Sequence, residues 1–175
     1  LGNHSHRLAR RSAAFAGKEP GSIWLDGTAI LFRVKALAET RPLDDRLFAY
    51  YDDYDIGTRL ARLGWYSRCV FDATVYHDVR YTYDEYPLYL VYLLQRNHML
   101  FYYNHTPAPY WKMLYLRLVD KAFFEANRRR DRGLPEQGDM MLLAIEDFIR
   151  GRFGPHRRAA RSPDGCVWLP GYRPT

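Results

Sequence analysis

Three carboxylates, Asp52, Asp53 and Asp55, stand where a helical apolar period begins, and a glycine closes that period. Ile56, Leu60 and Leu63 recur at i, i+4 and i+7, which marks one face of a helix. Gly64 follows in the C′ position, and Arg59 and Arg62 occupy the last turn, where positive charge complements the helix dipole. The spacing predicts a short capped helix that opens on an acidic cluster. Ahead of it, Leu47, Phe48, Tyr50 and Tyr51 form an apolar and aromatic approach able to pin that helix end against a core. The ordinary reading makes Asp52 an N-cap and the other acids dipole partners on a solvated end. The chemical reading makes a carboxylate, held by packing in a partly dry cleft, a general base.

On either side the chain alternates extended and helical patterns. Ile23–Phe32 reads as a strand interrupted at Asp26-Gly27, and Val34–Glu39 as a short helix. A glycine in that position permits close backbone approach or simply marks a bulge. Tyr66–Phe71 and Ala73–His77 are β-branched and aromatic enough for strands, with His77 at a strand end, either structural or a ligand. Tyr81–Tyr86 is a tyrosine-rich loop. Leu88–Tyr103 is an apolar helix with Gln95-Arg96-Asn97-His98 at its centre, a polar belt that suits burial better than a bilayer. Arg96 has Asp84 within reach as a possible ion-pair partner. Tyr110–Arg130 is amphipathic and ends in Arg128-Arg129-Arg130, which suits either the helix dipole or an anionic membrane surface. A last helix is expected over Asp139–Phe148. His4 and His6 read as a solvated tail pair.

Hydrophobic content of 47% with 16% aromatics excludes a disordered chain and predicts one real core in 175 residues. A net charge of +6 favours an anionic partner such as a nucleotide diphosphate, lipid headgroups or nucleic acid. No RNP-like, helix-turn-helix or zinc pattern supports the last of these. Cys69 and Cys166 have no metal-ligand spacing and make no disulfide framework, which fits a reducing, cytoplasmic setting.

Four blocks in order carry a resemblance to a known family. They are Trp24–Arg33, Leu43–Gly64, Phe71–His77 and Arg96–Tyr103. Together they resemble the second half of the catalytic domain of family-two inverting glycosyltransferases, the nucleotide-sugar-dependent GT-A type. The Asp-Asp pair followed by Tyr54-Asp55 and His77 is most similar to the galactofuranosyltransferase branch, though rhamnose and other sugars fit equally. The resemblance implies an α/β fold, the C-terminal part of a GT-A nucleotide-diphospho-sugar transferase with appended amphipathic helices. It implies a basic lead-in over 1–21, an acceptor-side half-domain over 22–104, a helical region over 105–154 and a loosely ordered basic tail over 155–175.

The same resemblance implies transfer of a sugar from a nucleotide-diphosphate donor to a glycan or lipid-linked acceptor with inversion. Asp53 would be the base and Asp52 its orienting neighbour, with Asp55 structural. Trp24, Asp26, Gly27, Arg96 and Asn97 would line the substrate site, and His77 would help hold Mn²⁺ or Mg²⁺ on the donor diphosphate. A peripheral membrane contact at the inner face of the plasma membrane is compatible, and nucleic acid is not expected. The family's βαβ nucleotide-binding unit and DxD motif have no counterpart here, and the chain opens on Leu1. The expectation is therefore a part of a longer transferase, inactive or nearly so alone. The alternative is a non-catalytic glycan- or membrane-surface-binding module.

Overall fold

The computed structural model describes residues 25, 27–68, 70, 73–77 and 82–155. Trp24, Asp26, Tyr81, both cysteines, the tail histidines and the expected segments 1–21 and 156–175 lie outside the described residues. The chain divides into two compact units, each discontinuous in sequence. The first holds described residues 25–44 and 52–77; the second joins 45–51 to 82–155.

In the first unit, α1 (Val34–Ala38) and α2 (Asp52–Arg62) share a small core of Ala36, Ile56 and Leu60, covered by Phe32 and Trp65. The expected stop at Gly64 is present. Its φ of +84° lets the Trp65 N–H reach Leu60 O and the Gly64 N–H reach Ala61 O, both at 3.0 Å, the paired bonds of a Schellman motif. Trp65 Nε1 then donates to Glu39 Oε2 at 2.8 Å.

In the second unit, α3 (Leu88–His105), α4 (Trp111–Asp131) and α5 (Pro135–Ile149) pack as a helical layer, with α5 against both of the others. Tyr92, Leu93 and Ala144 join α3 to α5, and Met99, Ala122 and Ile145 join all three. The helices α4 and α5 approach closely at Gly138. A Cβ there would lie 2.7 Å from the Ala126 carbonyl oxygen, so only glycine fits without backbone movement. Pro135 opens α5 at N1, where its missing N–H costs nothing.

The α/β expectation, and with it the GT-A-type architecture, is corrected by the structure: among the described residues there is no strand. The Ile23–Phe32 segment contains a 3₁₀ turn over Gly27–Ala29, and Ala73–His77 is irregular. β-propensity marks a side chain suited to a half-buried pleated surface; it does not supply the neighbouring strand. Here Leu31 is 98% and Tyr76 96% exposed, so these two side chains meet no facing layer. Helices carry their own hydrogen bonds and therefore form where the period predicts them.

Candidate functional site

The acidic cluster opens α2 as expected, with Asp52, Asp53 and Asp55 all in its first turn. Asp55 is 1% exposed and is taken up by Arg59. Arg59 Nε donates to Asp55 Oδ2 at 2.8 Å, while its remaining nitrogens donate to Thr40 Oγ1, Arg41 O and Pro42 O. This guanidinium ties the helix to the turn before it, so Asp55 serves structure.

Asp53 is half-buried and differently held. Its Oδ1 accepts the Tyr54 N–H and its Oδ2 accepts the Gly27 N–H, both at 2.8 Å. Two backbone donors thus fix the plane of the carboxylate. The close approach explains the glycine. A Cβ on Gly27 would lie 3.3 Å from Asp53 Oδ2 and press on the carboxylate. Next to Gly27, Thr28 Oγ1 lies 3.4 Å from His77 Nδ1. The Gly27-Thr28 dipeptide therefore touches both Asp53 and His77, two residues singled out in separate blocks of sequence. Asp52, half-buried, is the first residue of α2. Trp24 and Asp26 lie outside the described residues.

His77 is exposed. Among the described residues no group of three or more His, Cys, Asp or Glu side chains is placed to hold a metal ion.

Arg96 and Asn97 are placed in the second unit, both 0% exposed at the middle of α3. Asn97 Nδ2 donates to the carbonyls of Leu47, Ala49 and Tyr50 at 2.7, 2.6 and 3.0 Å. Arg96 Nη2 donates to Arg46 O and Leu47 O at 3.1 and 3.3 Å, and Nη1 to Gly154 O and the Tyr92 hydroxyl. Asn97 Oδ1 in turn accepts from Arg96 Nε and Nη2, which locks the pair together. Neither side chain reaches solvent, so any part they have in a site runs through the loop they grip. Arg96 does not pair with Asp84, which binds Arg132 at 2.6 Å.

The gripped loop is unusual. Phe48, Tyr50 and Tyr51 have φ of 63°, 66° and 68°, the left-handed region that bulky residues avoid. Each costs on the order of 1–3 kcal/mol and persists only when its surroundings over-determine it. The Arg96–Asn97 pair supplies that determination. Below it, the Tyr92 hydroxyl donates to Asp147 Oδ2 at 2.8 Å, and Arg152 Nε donates to Asp147 Oδ1 at 2.6 Å. Burial, aided by the Asp147 carboxylate, pushes the Tyr92 hydroxyl well above its ordinary range, so it remains a donor.

Over 54 residues, 31% of the chain, the sequence is 41% identical to an N-acetylglucosaminyl-diphospho-decaprenol L-rhamnosyltransferase of Mycobacterium tuberculosis. The match is the same in strain CDC 1551 / Oshkosh and in strain ATCC 25618 / H37Rv. The chain is related over that stretch to a glycosyltransferase. The matched stretch spans 18% of the length of those curated relatives. No protein-family model and no solved structure matches the chain.

Sequence reasoning missed the contact of Thr28 with His77 and the clamp on the Arg46–Tyr51 loop. The first had a signal in the polar residue following Gly27. The second had none, because its acceptors are backbone carbonyls. No helix among the described residues is long and apolar enough to cross a membrane.

Proposed function

We propose that this chain contributes the base-bearing, acceptor-facing part of an inverting glycosyltransferase. The observation that carries the reading is the Asp53 carboxylate fixed by the Gly27 amide at 2.8 Å, with Thr28 and His77 beside it. Transfer with inversion requires one group to take the proton of an acceptor hydroxyl while its oxygen attacks the anomeric carbon in line. Asp53 takes that proton. The bond from the anomeric carbon to the diphosphate oxygen breaks as the new one forms, and the nucleoside diphosphate leaves. Asp52, adjacent on α2, orients and tunes the base. The partial likeness to the mycobacterial rhamnosyltransferase supports an L-rhamnosyl donor of the nucleotide-diphosphate class and a diphospho-polyprenol-linked N-acetylglucosamine acceptor.

Mn²⁺ or Mg²⁺ would supply charge neutralisation on the departing diphosphate, with His77 as one imidazole ligand. A lipid-linked acceptor also suits the outer face of α4. Met113, Leu116, Phe123 and Phe124 are exposed there, with Lys112, Arg117 and Lys121 alongside, a composition compatible with peripheral contact at an anionic membrane. That face equally favours a second reading, a non-catalytic module that binds glycan or a membrane surface.

The deciding experiment compares the protein expressed from its complete reading frame with Asp53→Asn, using nucleotide-diphosphate rhamnose and N-acetylglucosaminyl-diphospho-polyprenol. Asp53→Asn should abolish transfer and leave donor binding nearly intact. A variant that still turns over removes Asp53 as base. A parent that binds the acceptor but transfers nothing favours the binding module.

A further inference from the structure

We infer that the cleft between α3 and α4 is a binding site for a small amphiphilic anion, a phosphate or carboxylate head on a short apolar chain. Gln95, His98 and Lys121 take the head, and Val91, Leu94 and Leu118 take the chain. The inference goes beyond the transferase reading and draws only on the second unit.

The cleft follows from how the three helices pack. The helix α5 lies against both α3 and α4, whereas α3 and α4 meet each other far less, and a space remains between them with Met141 of α5 in its lining. Its volume is about 310 Å³, at the lower end of the roughly 300–1,000 Å³ of small-molecule sites. Each long helix gives one face to it. Val91, Leu94, Gln95 and His98 follow at i, i+3, i+4 and i+7 on α3, and Leu118, Lys121, Ala122 and Glu125 do the same on α4.

Both faces combine apolar side chains with a few polar ones, the usual make-up of a small-molecule site. Among the described residues, no hydrogen bond or ion pair engages the Gln95 amide, the His98 ring nitrogens or the Lys121 ammonium. Gln95 and His98 are half-buried, where polar groups normally have partners. Tyr51 at 5.6 Å and Tyr102 at 5.0 Å pack against the His98 ring and hold it in place.

Charge selects the kind of head. Lys121 and Arg129 are the cations of the lining and Glu125 its carboxylate. Glu125 is taken up by Arg128, whose Nε lies 2.9 Å from Oε2, so the Lys121 charge is left unneutralised. Burial, reinforced by that ammonium, holds the His98 imidazole below its ordinary range and therefore neutral. A neutral imidazole offers one N–H donor, the Gln95 amide two and the ammonium three. A negative head with several acceptor oxygens answers all three groups at once. A neutral head leaves Lys121 unanswered, and a cation is repelled.

The test is isothermal titration calorimetry of the protein from its complete reading frame with octyl phosphate and with octanoate, each below its micelle concentration. At least one should bind one-to-one with a Kd below about 1 mM, and inorganic phosphate and octanol should each bind at least about tenfold more weakly. The tighter of the two amphiphiles assigns the head as phosphate or carboxylate. Lys121→Ala alters an exposed residue and should weaken binding about tenfold, with Lys121→Arg restoring most of the loss. Circular dichroism and thermal melting establish that each variant is folded. The His98 ring-nitrogen resonances should move with occupancy. The site is overturned by no saturable binding of either amphiphile, by binding that Lys121→Ala leaves unchanged, or by His98 resonances that stay put. Neither sugar donor nor transfer enters the measurement, so a failed cleft leaves the transferase reading standing, and the reverse holds too.

Discussion

The Gly27 amide and the Asp53 carboxylate, 26 residues apart in sequence, meet at 2.8 Å. That bond gives Gly27 a role separable from stability. Gly27 is exposed and does not have a left-handed backbone, so a side chain there meets mainly Asp53. Gly27→Val should therefore displace the carboxylate and lower kcat by about tenfold or more, as expected for a base moved by a few tenths of an ångström or further. The same variant should shift stability by less than about 1 kcal/mol. Parallel kinetics and urea titration check this; equal activity would separate Gly27 from the chemistry.

His77 is exposed and touches Thr28 at 3.4 Å, so removing its ring should cost the fold little. His77→Ala is expected to raise the Mn²⁺ concentration needed for half-maximal donor binding, with little change in melting temperature. Donor titrations across a Mn²⁺ series measure the effect. An unaltered metal dependence returns His77 to a purely structural contact.

Asn97 serves three carbonyls with one amide group. Asn97→Ala removes the side-chain donor from the Ala49 and Tyr50 carbonyls, leaves Leu47 O to Arg96 Nη2, and should destabilise the protein by about 1–3 kcal/mol. Asn97→Asp puts a carboxylate oxygen where the amide nitrogen stood, facing carbonyl oxygens, and should cost at least as much. Urea unfolding at constant m-value reads both. A loss below about 0.5 kcal/mol in each would mean the loop is held by other contacts.

Burial, reinforced by the Lys121 ammonium, pushes the His98 imidazole down to about 4 from its ordinary 6.5. Between those values the unfolded chain binds the proton and the folded one does not, so stability rises with pH across that window. The contribution is complete above about pH 6.5 and is lost progressively as the pH falls toward 4, amounting to at most about 3 kcal/mol. His98→Phe, which keeps a ring against Tyr51 and Tyr102, should flatten the slope of stability between pH 6.5 and 4. Denaturation midpoints across that range provide the check.

Much of the helical framework was legible in the residues. The α2 start at Asp52, its stop at Gly64 and the span of α3 from Leu88 follow from period and caps alone. The last helix begins four residues earlier than Asp139, because Pro135 and Glu136 form a helix start that polar composition disguised as a loop. Strands failed for a different reason: a helix satisfies itself, whereas Leu31 and Tyr76 could be strand residues only beside a partner. In the site, the order of blocks singled out Gly27, Asp53 and His77, which the fold brings to one dipeptide. Arg96 and Asn97 were recognised as a pair, but their grip on carbonyls is invisible to any reading of side-chain types.

The loop that Arg96 and Asn97 hold lies in the second unit, while the chain on both sides of it belongs to the first. Synthesis from the N-terminus therefore releases Leu47 well before the side chain that must bind it. At about 5–20 residues per second, the 50 residues from Leu47 to Asn97 take on the order of 3–10 s to emerge. For that interval the aromatic hexapeptide waits on the ribosome without its clamp. A truncated chain beginning at α3 would carry the opposite defect, with buried donors and nothing to receive them. The loop thus reaches its folded geometry only once α3 has emerged.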